Sequence, residues 1–238
     1  MRMRKKKHGE ERLDACREYI YTHGGEPLSN PALDVFGKTD APVFLEIGAG
    51  KGGFAVGMCD LYPESCYFAM ERVSDCVVIA AERAREEVEN GNLRFIVDTA
   101  DNLMKIFAPA TLDRVFLNFS DPWSKKGYAK RRLTHRRYLS VYFNLLRDGG
   151  SLTFKTDNVG LFDFSLLEIA EMGLKPDFVT RDLHNCARAA DNIMTEYETA
   201  FSEQGMAINM VEVTKPRGYS PEIPENLRRD RKSYFKNE

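Results

Sequence analysis

Four carboxylates and one glycine-rich turn carry most of the chemistry open to this chain of 238 residues. Residues 43–47 read as a strand that runs straight into Glu46-Ile47-Gly48-Ala49-Gly50-Lys51-Gly52-Gly53. Glycines there let the backbone turn tightly and pass close to a ligand before a helix begins. Gly48, Gly50 and Gly53 satisfy the spacing G-x-G-x-x-G of dinucleotide sites, and Glu71 stands about where an acid would hold a ribose. Glu46 argues against a pyrophosphate, because it sets a negative charge two residues before the first glycine. A cationic ligand suits it better. A magnesium-nucleotide loop is excluded more firmly, since Lys51 is followed by Gly52 and not by the Ser or Thr that would ligate the metal. Asp98 follows a strand at 93–97, and Asp121 follows Phe119-Ser120 at the end of another. In an open α/β sheet the ligand crevice lies outside the carboxyl ends of the strands, so Glu46, Glu71, Asp98 and Asp121 are expected to line one cleft.

Asp121 opens a second cluster, Asp121-Pro122-Trp123 with Lys125 and Lys126. It combines a carboxylate, a stiffened backbone, an aromatic plane and cations, the parts needed to hold a nucleobase. Net charge is -2, which by itself points to no polyanion. The distribution does, because residues 122–147 carry eight basic side chains and no acidic one, with seven more in each of 1–17 and 215–238. Such a chain can present a local phosphate-binding surface, since affinity for nucleic acid grows with the cations brought near phosphates. For the cationic ligand, S-adenosylmethionine is chemically sensible: it carries a sulfonium, an amino group and a ribose, and no phosphate.

The elements that must position these groups alternate. Strands are expected at 43–47, 66–70, 93–97, 114–119, 151–156, 178–183 and 208–212, and helices at 53–61, 74–89, 134–146, 161–172 and 196–202. Ser74 is expected to cap the second helix, and Gly91 lies just past its end. This is an α/β chain: one Rossmann-like domain with a mostly parallel seven-stranded sheet and helices on both faces, which explains continuous apolar strands such as VFLNF. The longest run of small apolar residues, 77–81, is too short to span a bilayer, and no export signal is visible, so a cytoplasmic protein with no membrane partner is expected. Five cysteines without a C-x-x-C pair indicate reduced, mostly buried thiols. The histidines show no metal-ligand spacing, and no metal is expected.

These motifs, taken together, resemble those of the bacterial tRNA (guanine-N7)-methyltransferases, class I S-adenosylmethionine-dependent enzymes. The similarity rests on 45–52 as the cofactor loop, on Asp121-Pro122-Trp123-Ser124-Lys125-Lys126 with Lys130-Arg131-Arg132-Leu133, and on Lys155-Thr156-Asp157 and Thr195-Glu196-Tyr197-Glu198. It covers roughly 40–215, leaving 1–39 as a basic N-terminal arm and lead-in and 216–238 as a polar basic tail. The resemblance implies methyl transfer to N7 of a tRNA guanosine, position 46 of the variable loop. It further implies that Glu46, Gly48, Gly50, Glu71, Asp98 and Asp121 contact the cofactor, with Asp121 also catalytic. Lys125, Asp157, Thr195, Glu196, Tyr197 and Glu198 are implied to contact substrate, and Gly127, Tyr128, Ala129, Lys130, Arg131 and Arg132 to lie on the RNA. The family commonly has Arg-His where this chain has Gly127-Tyr128, and proline where it has Ser120. Two other readings remain open from sequence, a Rossmann dehydrogenase and an RNA-binding protein without catalysis, and pattern does not decide between monomer and homodimer.

Overall fold

The computed structural model describes residues 7–228; the outermost parts of the expected basic arm and tail, 1–6 and 229–238, lie outside the described residues. Seven strands form one sheet: β1 (Val43–Ile47), β2 (Cys66–Glu71), β3 (Leu93–Val97), β4 (Leu112–Asn118), β5 (Leu146–Thr156), β6 (Phe178–Thr180) and β7 (Asn209–Thr214). Their order is β3-β2-β1-β4-β5-β7-β6. All pairings among β1 to β5 are parallel, and β7 runs antiparallel to both of its neighbours. The chain winds outward from β1 through β2 to β3, then returns to β4 on the other side of β1. A crevice therefore opens between the loops that follow β1 and β4.

The helices are α1 (Gly9–Asp14), α2 (Pro31–Phe36), α3 (Gly53–Leu61), α4 (Ser74–Glu87), α5 (Leu103–Ile106), α6 (Arg136–Leu145), α7 (Val159–Glu171), α8 (Glu196–Ser202) and α9 (Glu225–Arg228). β1 is buried along its whole length, as its unbroken VFLEI run requires of a strand covered on both faces. Alternation along it sends Val43, Leu45 and Ile47 into a core with Phe68, Leu139, Phe143 and Phe154. Phe44 enters the opposite core, with Phe54 of α3, Ala80 and Ala84 of α4, Tyr67, Phe95 and Phe116. Glu168 of α7 accepts from the Arg136 amide at 2.6 Å and from Arg136 Nε at 3.0 Å, so a buried carboxylate satisfies the start of α6.

Some boundaries differ from expectation for local reasons. Val73 is the N-cap of α4 and makes no side-chain cap bond, so Ser74 is the first helical residue and not the cap. The same helix stops at Glu87 because Val88 turns extended, and Gly91 at φ +61° completes the turn into β3. β5 begins five residues early, at Leu146, and passes through Gly149 at φ +81°. The strand expected at 178–183 ends at Thr180, followed by a 3-10 turn over Leu183–Asn185. The segment before residue 40 is built into the domain: Arg12 donates to both oxygens of Glu82 on α4 at 2.7 Å, and the Tyr21 amide donates to the Phe95 carbonyl at 2.8 Å. Ile223 and Leu227 likewise join the core. All five cysteines are free, with Cys16, Cys59 and Cys66 buried. Among the described residues no helix is long and apolar enough to cross a membrane.

Gly52 joins the turn to the sheet layer. Its φ is +79°, and a Cβ there would lie 2.8 Å from the Cβ of Ala80. Gly52→Ala is therefore expected to lower unfolding free energy in urea by on the order of 1–3 kcal/mol, from left-handed strain and overpacking together. Gly91→Ala, where φ is also positive and the space is open, should cost less, which separates the clash from the strain.

Candidate functional site: a cleft at the carboxyl ends of the strands

A cleft of about 930 Å³ opens where the strand order reverses, lined by the ends of β1 to β4 and the loops beyond them. Glu71 projects from the end of β2 and accepts from two loop amides, Gly50 at 3.1 Å and Val73 at 2.8 Å. It thereby anchors the glycine turn while facing the cleft. The amides of Gly48 and Ala49 both donate to the Met70 carbonyl, at 2.8 and 3.0 Å, so the turn is stitched to β2. Gly48 and Gly50 hold φ of +87° and +55°, with open space where a side chain would stand. Asp98 follows β3 and accepts from the Thr99 amide and from Asn102 Nδ2, each at 2.7 Å.

Glu46 departs from expectation. It lies on the face of β1 that packs against α3, only 1% exposed, and does not line the cleft as Glu71, Asp98 and Asp121 do. The physical reason is strand alternation: Ile47 takes the other face, and Glu46 falls beneath the turn. Asn118 Nδ2 donates to its Oε1 at 2.9 Å. Burial pushes the Glu46 carboxyl up to about 7, against the opposing pulls of that hydrogen bond and of Lys155. Asn118 Oδ1 and Ser120 Oγ, on the cleft wall, are buried without a protein partner, while the Glu46 carboxyl also faces the buried hydroxyl of Tyr67. Buried polar atoms in that condition are met by an ordered water or by a ligand. Gly53, third in the dinucleotide spacing, serves packing: a Cβ there would meet Arg83 at 2.7 Å and the Glu196 carboxyl at 2.9 Å.

The other end of the cleft is built by the turn after β4. The strand ends at Asn118, so Asp121 stands three residues out on a loop and not at a strand end. Phe119 and Trp123 adopt φ of +51° and +41°, a conformation non-glycine residues hold only where the surroundings impose it. Between them Asp121 is exposed and lies 3.6 Å from Arg72. Tyr197 of α8 packs on Phe119 at 5.1 Å and on Phe201 at 4.2 Å between ring centres. Its hydroxyl is raised first by burial and then by the negative charges of Asp157 and Asp121.

A 3-10 turn over Lys126–Arg131 follows, carrying Gly127, Tyr128, Ala129 and Lys130. Arg131 lies over Tyr128 at 4.7 Å and over Trp123 at 5.1 Å, a cation set against two rings that meet edge to face at the mouth of the cleft. Lys125, Lys126 and Lys130 are exposed. Arg132 turns back: its Nε donates to the Pro122 carbonyl at 2.9 Å and an Nη to the Trp123 carbonyl at 3.2 Å, bracing the strained turn from behind. Of the four residues of Thr195-Glu196-Tyr197-Glu198, Tyr197 is the one whose ring packs on the cleft wall, at Phe119. Thr195 caps α8, accepting from the Glu198 amide at 2.9 Å; Glu196 pairs with Arg83; Glu198 is fully buried against Lys155. Sequence reasoning missed Asn118 and Arg72. The first shows as the lone polar residue in the VFLNF run, and the second directly follows Glu71.

The sequence pattern of a family described as "Putative methyltransferase" matches residues 40–211. The chain belongs to this methyltransferase family. Its membership sets aside the dehydrogenase reading. Solved structures share the fold at low identity. The 16S rRNA methyltransferase KamB is 12% identical with a TM-score of 0.58, over 83% of this chain and 98% of that one. The antibiotic-resistance methyltransferase Kmr is 16% identical with a TM-score of 0.55, over 82% and 97%. The geranyl diphosphate C-methyltransferase of Streptomyces coelicolor A3(2) is 15% identical with a TM-score of 0.51, over 89% and 94%.

The Glu46 carboxyl supplies a pH test on the protein alone. With a folded-state value raised to about 7, the unfolded chain releases this proton first, so stability falls as pH rises from the ordinary carboxylate range toward 7. The decline should reach up to about 3 kcal/mol. Glu168 and Glu198 are held low and act with the opposite sign, gaining stability as pH rises through the acid range below that window. Urea unfolding of the wild type from pH 5 to 7.5 should show the decline, and Glu46→Gln should remove it.

Proposed function

We propose that this methyltransferase transfers a methyl group from S-adenosylmethionine to N7 of a guanosine in tRNA, which the family resemblance places at position 46 of the variable loop. The observation that carries the reading is the division of one cleft between two chemistries. At one end Glu71 and Asp98 stand at the ends of adjacent strands beside a glycine turn; at the other, Asp121 stands with Trp123 and Arg131, and Tyr197 packs on Phe119 of the same wall. The RNA methyltransferase named among the fold relatives lends support to an RNA substrate.

The residues present fit the cofactor. Unpartnered Asn118 Oδ1 and Ser120 Oγ on the cleft wall, with Glu46 Oε2 beneath, suit an ammonium donor and a nearby positive charge. Glu71 and Asp98 suit hydroxyl and amine donors of the nucleoside. When bound, S-adenosylmethionine supplies a sulfonium methyl that guanine N7 can attack directly, since its in-plane lone pair carries no proton near neutral pH. The chain therefore needs no general base at N7. Its task is to place the base in line and to stabilise positive charge as that charge moves onto guanine. Asp121 suits the second task, being an exposed carboxylate that Arg72 touches only loosely. Asp157 and the ring of Tyr197 hold the base edge and face, and Trp123, Tyr128 and Arg131 offer stacking planes to a flanking nucleotide. The surface from Lys125 to Lys130 meets phosphates.

Nucleoside mapping of unmodified tRNA incubated with protein and S-adenosylmethionine should yield 7-methylguanosine at one position. Under single turnover at saturating cofactor, Asp121→Asn should slow transfer by on the order of a hundredfold, as loss of a transition-state electrostatic partner does. An unchanged rate would remove Asp121 from the chemistry.

The salt dependence of binding tests the basic face separately. A Lys126→Ala, Lys130→Ala double variant should lower the slope of log affinity for tRNA against log salt by about 0.7–0.9 per lost contact. Affinity for S-adenosylmethionine should stay as it is, because both side chains are exposed beyond the strand ends.

A further inference from the structure

Beneath the substrate end of the cleft lies a polar cluster that touches neither end of the site directly. Lys155, on β5, is 3% exposed at its side chain, and Glu198, on α8, is fully buried. The Lys155 ammonium donates to Glu198 Oε2 at 2.8 Å, to Asn192 Oδ1 at 2.9 Å and to the Ile193 carbonyl at 2.9 Å, which uses all three of its protons. Glu198 Oε1 in turn accepts from Asn192 Nδ2 at 2.6 Å and from His184 Nε2 at 2.8 Å. Ser202 Oγ lies 3.2 Å from the other nitrogen of His184. Burial acts to raise the Glu198 carboxyl, but the charge of Lys155 and the hydrogen bonds of Lys155, His184 and Asn192 outweigh it and hold the group ionised.

The cluster governs where α8 sits. The helix has only seven residues, too few to hold a position by its own stability, and it is reached through an irregular segment over 186–195. Two small residues one turn apart on α3 receive that segment. Ile193 fills the space a side chain at Gly57 would need, with its Cγ2 2.8 Å from that point, and Glu196 approaches Gly53 in the same manner. Lys155 also lies 5.0 Å from the ring centre of Phe54 on α3 and within the field of Glu46. Tyr197, between Glu196 and Glu198, is thus the exposed residue of a helix whose neighbouring side chains are both tied down.

We propose that Lys155 and Glu198 are positioning residues for methyl transfer, a buried ion pair that sets the place of Tyr197 against Phe119 of the cleft wall without itself touching substrate. This rests on the methyl-transfer reading above and deepens it. It separates Glu198 from the substrate contacts that the family resemblance implies for Thr195-Glu196-Tyr197-Glu198. An ion pair is a suitable device here, because its directional bonds locate a short helix that apolar packing alone would leave free to slide.

The test combines kinetics with amide exchange. In Glu198→Gln, kcat on tRNA should fall by on the order of ten- to a hundredfold, as a misplacement of about 1 Å does. S-adenosylmethionine affinity should remain within about twofold, as for independent sites. Glu198→Gln combined with Tyr197→Ala should be no slower than Tyr197→Ala alone, because the first acts through the second. Amide exchange over 189–202 should accelerate in Glu198→Gln without any substrate present. Should removing one charge unfold the protein, Lys155→Met with Glu198→Leu removes both and leaves no unpaired buried charge. That variant should fold and still show the loss of kcat. Additive losses for Glu198 and Tyr197, wild-type kcat in either folded variant, or unchanged exchange over 189–202 would overturn the proposal. Failure of the wild type to methylate guanosine would instead overturn the methyl-transfer reading, and the exchange experiment would still decide whether the pair holds α8.

Discussion

One hydrogen bond crosses the sheet at the point where the strand order reverses, from Asn118 Nδ2 on β4 to Glu46 Oε1 on β1. Everything around the cleft is arranged about it. A carboxyl buried between two apolar layers is costly, and the cost is moderated by this one donor and by a carboxyl that holds its proton toward neutral pH. The bond leaves Asn118 Oδ1 without a protein partner, on the wall of the cleft. Buried polar atoms of this kind favour a ligand that brings donors and positive charge. An apolar pair at these positions would make a firmer sheet and a poorer site.

The glycine turn shows how a short motif serves more than one requirement. Gly48 and Gly50 satisfy a backbone conformation and leave open space beside the cleft. Gly52 is needed because α4 packs against it, and Gly53 and Gly57 because the segment leading to α8 lies on α3. The spacing G-x-G-x-x-G therefore arises here from helix docking as much as from ligand approach. That is why it matches a dinucleotide fingerprint in a chain whose neighbouring acid argues against a pyrophosphate.

Substrate-side order depends on a different balance. The turn through Asp121 is strained at Phe119 and Trp123, and it persists because Arg132 holds two of its carbonyls while Arg131 stacks on its aromatic rings. Neighbouring arginines of one basic run thus do opposite work. One faces outward at the mouth of the cleft, and the other is spent on internal structure. A count of cations along the run overstates the charge its surface presents for this reason.

The strand and helix order, the mostly parallel seven-stranded sheet, and the placing of Glu71 and Asp98 at strand ends were legible in the sequence, because each depends on local periodicity and on a topological rule. The packing of Tyr197 on Phe119 was not legible in local pattern, since residues 119 and 197 meet solely by folding. What tertiary structure alone decided was which way each polar group points. Glu46 and Glu198 carry the same side chain as Glu71, yet both are buried. A strand's alternation and a helix's rotation become inward or outward only once the covering layer is in place. The parts before residue 40 and after 215 were likewise unreadable as structure, because α1, α2 and α9 are too short to show a period and take their shape from the domain they cover.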